Sequence, residues 1–323
     1  MPTPAPFARA LSRAAPVLAF AIAVACGDSQ GPGPQTEVPT LPSRQVFPSS
    51  NPWNQDISGA PLDPNSDNLI ASCGADRQLH PDFGTEYDGA PWGIPFVTVR
   101  GSQARVPVSF YYDDESDPGP YPIPPDAPIE GGPDANGDRH VLVVDVDDWV
   151  LYELFDARPE DGGARWTAGS GAIFDLSTNA QRPEGWTSAD AAGLPIFPGL
   201  ARYDEVAAGA IAHALRFTCP QTRRAYVPPA RHYASNSTDP DLPPMGMRVR
   251  LKASVDISGF PPDVQVILTA LKTFGMLLAD NGGGFFVSGA PDPRWNDEHI
   301  DTMKQLRGSD FEVVRMAGLV EGN

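Results

Sequence analysis

The sequence predicts a mainly β protein, namely a single β-sandwich or jelly-roll-like domain on which two or three short helices pack. Proline (37) and glycine (31) make up about a fifth of the 323 residues, a density that disfavours long helices and favours short strands joined by turns. The apolar fraction of 41% is sufficient for a hydrophobic core. Several segments alternate apolar and polar residues with a period of two, which is typical of strands with one buried face.

Residues 1–25 have the pattern of a bacterial signal peptide. Arg9 and Arg13 precede the apolar run Ala14–Val24, which is too short to remain in a bilayer as a transmembrane helix. The run leads into the sequence AVAC, which ends at Cys26 and resembles the lipobox of bacterial lipoproteins, with alanine where that motif usually has leucine. We therefore expect export and a lipid anchor on this cysteine in the bacterial cell envelope. The alternative is an ordinary cleaved signal peptide and secretion.

Residues 26–45 are predicted to be a flexible linker, because they are rich in glycine, proline and polar residues. The β-rich domain is expected to span residues 46–323. Its cysteines, Cys73 and Cys219, would lie in an oxidising compartment after export, where they either form a disulfide or stay as two unpaired buried thiols. Their separation in sequence does not decide between these states, because a disulfide requires a short Cα–Cα distance.

The chain is strongly acidic, with a formal net charge of −18. A surface of this sign repels phosphate backbones, so nucleic acid is not expected as a partner. The charge is uneven, since residues 111–161 contain 15 acidic and 2 basic residues, whereas residues 216–252 contain 7 basic and 2 acidic residues. One interpretation is that these regions neutralise each other or are solvated. The other is that the basic region forms a trough for an anionic group such as a uronate carboxylate.

Nine segments of the domain are predicted to be β-strands from their alternation or their short apolar runs. In chain order they are Phe96–Val99, Val106–Tyr112, His140–Val146, Val150–Phe155, Arg165–Leu176, Ile211–Phe217, Ala225–Tyr233, Met247–Ser254 and Phe311–Arg315. The third and fourth segments flank Asp147 and Asp148 and are expected to pair as a hairpin. A further hairpin is predicted at Met276–Ser288, where the sequence DNGGG supplies a turn.

Helices are expected at three places. The first is Pro262–Phe274, which has an apolar stripe, a proline suited to the first turn and a glycine directly after its end. The second is Asn296–Leu306, a short capped helix. The third is a single helical turn that Asp204 would cap and Gly209 would end.

Residues 186–233 contain most of the candidate catalytic residues. These are Asp190, Glu205 and His213, together with Asp175 at the end of the preceding strand. Two carboxyl groups suit a glycoside hydrolase, and an imidazole suits general acid–base catalysis. A histidine on an apolar face is also typical of a core residue that is bonded to a carbonyl or a carboxylate.

Four further residues are candidates for binding a substrate: Arg231, Tyr233, Trp166 and Trp186. Arginine pairs with carboxylates, and exposed aromatic rings stack on flat ligands. Because neighbours on a strand point to opposite faces, Arg231 and Tyr233 are expected to share a side from which His232 points away. We expect the candidate catalytic residues to line one cleft.

Calcium is the one cofactor that the sequence suggests. Two oxygen-rich turns, one containing Asp63, Asn65 and Asp67 and the other running from Asp134 to Asp138, resemble the start of a calcium loop. Neither completes the EF-hand pattern, and both are also typical of Asx turns. No other metal or cofactor is expected, because the sequence contains no Cys-x-x-Cys pair, His-Glu-x-x-His motif, Gly-x-Ser-x-Gly elbow or phosphate-binding loop.

Several segments of the domain read like a known group of proteins. They are WTAGSGAIFDL (166–176), GLPIFPGLARYDEV (193–206), HALRF (213–217), PARHYAS (229–235) and ALKTFGMLLADNGG (270–283). In these segments the chain resembles a family of exported, largely uncharacterised bacterial β-rich proteins, over roughly residues 46–315. The resemblance implies an exported, single-domain, largely β protein, and it assigns no catalytic residue.

Two functions from different classes fit these features. The first is a carbohydrate-active enzyme of the cell surface, either a glycoside hydrolase or a polysaccharide lyase. In a lyase, His213 or Tyr233 would act as the base while Arg231 holds the uronate carboxylate. The second is a non-catalytic surface module that binds a glycan or a partner protein, and a structural envelope protein is a third alternative. The expected partner is a polysaccharide or another extracellular ligand.

Overall fold

The strands of the domain are short and numerous, as the density of proline and glycine predicts. The computed structural model of this protein describes Leu41 and residues 43–322, so the predicted signal peptide, Cys26 and most of the linker lie outside the described residues. The strands are β1 (His80–Asp82), β2 (Glu86–Tyr87), β3 (Ala90–Pro91), β4 (Phe96–Val99), β5 (Val108–Phe110), β6 (Val141–Asp145), β7 (Val150–Phe155), β8 (Arg158–Glu160), β9 (Arg165–Ala168), β10 (Ser170–Asp175), β11 (Leu215–Cys219), β12 (Ala225–Tyr226), β13 (Arg248–Leu251), β14 (Met276–Asn281), β15 (Phe286–Ser288), β16 (Phe311–Val313) and β17 (Val320–Glu321). The helices are α1 (Ser66–Cys73), α2 (Tyr203–Ala207), α3 (Pro262–Thr273) and α4 (Asp297–Asp301).

These strands form sheets of different sizes. The largest has six strands in the order β1-β15-β11-β14-β13-β16, and the next has four in the order β10-β7-β6-β4. A three-stranded sheet (β5-β9-β8) and the ribbons β2-β3 and β12-β17 account for the other strands of the described residues. Strands make up 26% and helices 17% of the structure, which confirms the mainly β class.

The strand directions do not support the finer expectation of a jelly roll, which is built from antiparallel sheets. Parallel pairs occur at β1/β15, β11/β14, β4/β6 and β5/β9. A parallel pair needs a long crossover connection, and the long segments between β4 and β6 and between β11 and β14 supply two of them. Alternation along one strand reports which face is buried, and it does not report the direction of the neighbouring strand.

The four-stranded sheet is buried on both of its faces. Leu142 and Val144 of β6 belong to a large hydrophobic cluster that also contains residues of the six-stranded sheet, α1 and α3. Val141 and Val143 belong to a smaller cluster that also contains Trp166 of β9. Because neither face meets water, the sequence of β6 (VLVVD) is a nearly continuous apolar run instead of an alternating pattern.

Several predicted elements are confirmed. β4 and β7 have the predicted bounds, and β6 and β7 pair as the expected antiparallel hairpin. α3 buries the apolar stripe and ends before Gly275, and the side chain of Asn296 caps α4. The expected cap at Asp204 is wrong, because α2 already begins at Tyr203 and has no side-chain cap. None of the helices in the described part of the chain is long and apolar enough to cross a membrane.

The hairpin predicted at Met276–Ser288 is wrong. β14 and β15 do not pair with each other, because β11 lies between them, parallel to β14 and antiparallel to β15. Three glycines at 282–284 carry the chain past the end of β11. A side chain would not fit there, since a Cβ atom on Gly283 would lie 2.3 Å from the ring of Phe286. The turn thus places Asp280 and Asn281 beside the end of β11.

Cys73 and Cys219 form a disulfide that joins the end of α1 to the end of β11. Both residues are fully buried, and their Cα atoms are 5.0 Å apart, within the usual range. The bridge links residues 146 positions apart, so on the loop-entropy model it stabilises the fold by about 5 kcal/mol. Of the two states that the sequence left open, the structure has the disulfide.

Candidate active site

Residues 187–193 form a loop, here called the hub loop, on which buried polar side chains converge. Its backbone carbonyls accept hydrogen bonds from Arg182, Ser170, His140 and His232, which come from four separate segments. One of its backbone N–H groups also donates to a carbonyl of β14, at 2.9 Å. A loop that is held at so many points is a rigid support for a functional group.

The hub loop carries Asp190, whose side chain is completely buried. Its two oxygens accept hydrogen bonds from Nε (2.7 Å) and Nη2 (2.8 Å) of Arg216 on β11, while Nη1 of this arginine donates to the hydroxyl of Ser288 at 2.6 Å. Burial alone would lower the pKa of Arg216, but the adjacent carboxylate raises it overall. Asp190 is therefore the hydrogen-bonded partner of a buried cation, and its side chain is not exposed to a substrate.

Asp280 at the end of β14 lies next to this ion pair and lacks a cation of its own. One of its oxygens accepts the backbone N–H of Asn281 at 2.6 Å, and the other is 3.8 Å from Nη2 of Arg216, which already serves Asp190. Burial of the carboxyl and the charge of Asp190 raise the pKa of Asp280 to about 7. Its side chain is 26% exposed, so this protonatable carboxyl is accessible.

A second carboxylate and a histidine lie in the same cleft. Glu115 accepts the backbone N–H of Thr187 at 3.0 Å, and the same oxygen, Oε2, is 3.9 Å from Nε2 of His232. Nδ1 of His232 is 2.7 Å from the carbonyl of Ala191, which requires Nδ1 to carry the proton. In the neutral ring the lone pair therefore lies on Nε2, the nitrogen nearer to the glutamate.

These groups line one cleft of about 460 Å³, here called the acidic cleft. The volume is in the range of small-ligand sites. Tyr112 also lines it and is 48% exposed, so its ring is available to a ligand. Ser170, Thr187 and Asn281 add polar groups to the lining. The cleft thus combines an aromatic surface with polar groups and four carboxyl side chains, those of Glu115, Asp138, Asp190 and Asp280.

Two more ionisable groups are buried near the acidic cleft. His140 has Nδ1 at 2.6 Å from Glu130 and Nε2 at 3.0 Å from the carbonyl of Ala189. Both nitrogens face acceptors, so the ring is an imidazolium; burial opposes this charge, but Glu130 raises the pKa of His140 to about 9. Glu153 of β7 accepts two backbone N–H groups, and its burial raises its pKa to about 7.

Glu205 and His213 lie elsewhere, in a second cleft of about 810 Å³. Glu205 accepts from Nη2 of Arg202 at 2.6 Å, and its other oxygen is 3.2 Å from Nε2 of His213. Nδ1 of His213 is 2.8 Å from the carbonyl of Ala214. Burial would raise the pKa of Glu205, but Arg202 and His213 lower it to about 2. Both residues are therefore saturated, and His213 matches the alternative of a core histidine bonded to a carbonyl and a carboxylate.

Comparison with protein-family models, curated proteins and solved structures found no match to this chain. The family resemblance therefore stays an expectation, and the site is assigned from its geometry alone.

The expectation that the four candidate catalytic residues line one cleft is wrong. Asp190 lines the acidic cleft, whereas Glu205 and His213 line the second cleft. Asp175 is exposed and lines neither of them; hydrogen bonds from the side chain and backbone of Ser177 lower its pKa. The physical reason is that the strand predicted at 211–217 begins only at Leu215, so His213 belongs to the connection before β11 and lines the second cleft.

The candidate substrate-binding residues also lie outside the acidic cleft. Trp166 is 1% exposed and packs in the smaller hydrophobic cluster. Trp186 is half-buried with its ring 5.5 Å from the guanidinium carbon of Arg182, and Arg231 donates to the carbonyl of Arg182 at 3.1 Å. Tyr233 stacks in parallel on His232, with ring centroids 5.7 Å apart.

The predicted orientation of residues 231–233 is reversed in the structure. This segment is not a strand, since β12 ends at Tyr226, and the alternation argument therefore does not apply to it. His232 lines the acidic cleft, while Arg231 is turned toward the segment that contains Arg182.

Three basic residues of 216–252 are bonded within the protein and do not contribute to the trough that one interpretation allowed. Arg216 is used by Asp190. Arg248 and Arg250 donate to backbone carbonyls of the segment 52–60, and Arg248 also to that of Phe274. These guanidinium groups stabilise the conformation of the segments whose carbonyls they bind.

The described residues contain no group of three His, Cys, Asp or Glu side chains arranged to hold a metal ion. Asp63, one of the calcium candidates, accepts the backbone N–H groups of Asn65 at 2.9 Å and of Met316 at 3.2 Å. The first of these bonds is an Asx turn, the alternative that the sequence left open.

Sequence reasoning did not select Asp280, Glu115 and His232 as candidate functional residues. The sequence DNGGG around Asp280 has the signature of a hairpin turn, and Glu115 lies in a proline-rich acidic loop without periodicity. The length of that loop was the available signal, since long loops in compact domains are often functional.

Proposed function

We propose that this protein is an exported glycoside hydrolase in which Asp280 and Glu115 of the acidic cleft are the catalytic carboxyl groups. The observation that carries the proposal is that one open cleft contains a partly exposed carboxyl without its own cation and a second carboxylate beside a histidine. Glycoside hydrolysis uses such a pair, in which one member is protonated and the other ionised.

Asp280 suits the role of the general acid. With a pKa of about 7 it keeps its proton over most of the acidic and neutral range. It would donate this proton to the glycosidic oxygen as the bond to the anomeric carbon breaks. The ionised pair of Asp190 and Arg216 maintains this state, because the arginine stays with Asp190 and the charge of Asp190 disfavours ionisation of Asp280.

Glu115 suits the role of the base or nucleophile. As a base it would take a proton from the attacking water, and as a nucleophile it would bond to the anomeric carbon before water releases the sugar. His232 stands 3.9 Å away and would position the glutamate or the water.

A sugar substrate is supported by the lining of the cleft. Tyr112 offers a partly exposed ring, and Thr187 and Asn281 place polar side chains in the lining. The carboxylates disfavour a uronate, so the geometry favours a hydrolase over a lyase. The Cys73–Cys219 disulfide supports an oxidising compartment, in keeping with export and with a lipid anchor at Cys26 as part of this proposal.

The test is product formation from polysaccharides. The purified protein and its variants Asp280→Asn, Glu115→Gln and Glu205→Gln are incubated with soluble cellulose derivatives, xylan, glycol chitosan and polygalacturonate, and new reducing ends are measured. We expect Asp280→Asn and Glu115→Gln to lower kcat by about a hundredfold or more. Glu205→Gln is the matched control in the second cleft, and at a temperature where it is folded it should lose little.

Two outcomes would contradict the proposal. If both acidic-cleft variants keep the activity of the wild type, the catalytic groups lie elsewhere. If the protein binds a polymer and releases no product, it is the non-catalytic module that the sequence offered as the alternative. Where products form, their anomeric configuration measured by NMR distinguishes the nucleophile role of Glu115 from the base role.

A further inference from the structure

A row of side chains leads from the acidic cleft across the six-stranded sheet. The register pairs Asp280 of β14 with Thr218 of β11, Thr218 with Phe286 of β15, and Phe286 with His80 of β1. Directly paired residues point to the same face of a sheet, so these four side chains form one line. Because neighbouring strands are about 4.8 Å apart, His80 lies about 14 Å from Asp280 along this line.

The row ends in a group of aromatic rings, here called the aromatic platform: Phe286, His80, Trp92 and Tyr87. Phe286 and His80 are stacked with centroids 4.0 Å apart; His80 and Trp92 are 6.2 Å apart, and Trp92 and Tyr87 are 5.9 Å apart. Tyr87 is 71% exposed, and the other three side chains are half-buried. Tyr87 therefore presents its ring to solvent, and the other three rings are partly accessible beside it.

The surface between the cleft and the platform has few projecting side chains. Asn281 lines the cleft, and only the glycines 282–284 and Phe285, whose ring is buried in the core, separate it from Phe286. The hydroxyl of Thr218 donates to the carbonyl of Gly283 at 2.6 Å, which holds this turn against the end of β11. An extended ligand that leaves the cleft toward the platform would cross the glycine backbone and pass the exposed side chain of Arg77, which lies beside Gly284.

Carboxylates outnumber cations around this path, although Arg77 lies beside Gly284 and Lys304 acts electrostatically on His80. Asp82 is exposed and accepts from Nε1 of Trp92 at 3.2 Å, and Glu86 is exposed next to Tyr87. The cleft adds Glu115 and Asp138. An anionic polymer would be repelled at both ends of the path, whereas the hydroxyl groups of an uncharged one can donate to the carboxylates.

We propose that the aromatic platform is a second binding subsite that holds an uncharged polysaccharide while another part of the same chain occupies the acidic cleft. The platform is then the element that makes the protein select a polymer over a single sugar. This inference deepens the proposed function and rests on it only for the statement that the cleft cleaves the bound chain.

Native gel electrophoresis in the presence of soluble polymers tests the inference independently of catalysis. Mobility is measured with hydroxyethylcellulose and arabinoxylan as uncharged probes, glycol chitosan as a cationic probe and polygalacturonate as an anionic one. The variants are Tyr87→Ala, Trp92→Ala and Tyr87→Phe. Leu319→Ala is the matched control, because Leu319 is 41% exposed and lies outside the platform.

We expect at least one uncharged polymer to retard the wild type. Tyr87→Ala and Trp92→Ala should raise its dissociation constant about tenfold, while Tyr87→Phe and Leu319→Ala stay near the wild type. Because Tyr87 is so exposed, Tyr87→Ala should keep the melting temperature of the wild type, so a loss of binding in this variant does not report unfolding.

The inference is overturned if no uncharged polymer retards the wild type, if only the charged probes do, or if Tyr87→Ala and Trp92→Ala bind as tightly as the wild type. Failure of the proposed function gives a different pattern. If the wild type forms no product but the Tyr87→Ala variant binds the polymer more weakly, the binding subsite is supported and the hydrolase proposal is contradicted. Asp280→Asn should still bind the polymer, whichever pattern is found.

Discussion

The two clefts of this protein contain the same residue types and hold their carboxyl groups in opposite states. In the second cleft, Arg202 and His213 both turn to Glu205 and lower its pKa to about 2. In the acidic cleft, Arg216 gives two donors to Asp190 and none within hydrogen-bond distance to Asp280, whose pKa is raised to about 7. Composition alone therefore does not distinguish a structural carboxylate from a reactive one.

The difference between the clefts lies in how many carboxyls share each cation. One carboxylate that accepts from an arginine and lies beside a histidine is satisfied and stabilises the fold. Two carboxyls beside one arginine cannot both be satisfied, and the less favoured one keeps its proton. Perturbed groups of the second kind occur preferentially at functional sites. Because of this difference, Asp280 is a better candidate for a catalytic residue than Glu205 or His213.

The largest effect is expected from Asp190→Ala. This variant leaves the guanidinium of Arg216 buried without its partner, and we expect a loss of about 4 kcal/mol in the free energy of unfolding at neutral pH. It should also lower the pKa of Asp280, because the arginine becomes available to it. Urea unfolding measures the first effect, with Asp175→Ala as the control, since Asp175 is exposed. A loss no larger than that of the control would show that the buried pair does not organise the acidic cleft.

Glu205→Gln is expected to have the next largest effect. Because the pKa of Glu205 is lowered from 4.5 to about 2, its ionised form contributes stability that is fully present above its unfolded pKa and is lost as the pH falls through about 2. We expect the variant to be about 2 kcal/mol less stable than the wild type at neutral pH, with a smaller difference at about pH 3. Urea unfolding at both pH values checks this. If the stability difference between the variant and the wild type grows as the pH falls, Glu205 does not have a lowered pKa and the two clefts do not differ in this respect.

The smallest effect, and one of opposite sign, is expected from Asp280→Asn. The folded pKa of about 7 exceeds the unfolded value of 3.8, so the folded state binds the proton more tightly and the wild type loses stability as the pH rises from about 4 to 7. The asparagine removes this loss, and we expect the variant to be about 1 kcal/mol more stable than the wild type above pH 7 and similar to it near pH 4. Glu153, whose pKa is also about 7, should leave a residual slope.

Thermal or urea unfolding across this pH range measures the difference between Asp280→Asn and the wild type. If Asp280→Asn is the less stable protein at high pH, Asp280 is an ordinary ionised partner of Arg216, and the proposed general acid is lost.

Local patterns predicted the parts of the fold that depend on neighbours in the chain. The sequence predicted the hairpin of β6 and β7, the amphipathic helix α3 and the cap at Asn296. Each of these features depends on residues that lie close together in the sequence. The 276–288 hairpin failed although its turn sequence is a strong signal. The insertion of β11 between β14 and β15 is decided by a segment almost sixty residues away, which no local pattern reports.

The sequence by itself determined the mainly β class, the acidic character and the stretch that contains Asp190. The tertiary structure alone decided which groups meet that aspartate, because Glu115, Arg216 and Asp280 come together only when a loop, β11 and the end of β14 pack around the hub loop. The protonation state of a carboxyl depends on the charges within a few ångströms of it and on its burial. Both are properties of the packed chain, and they separate the carboxyl that we propose as the general acid from the ionised ones.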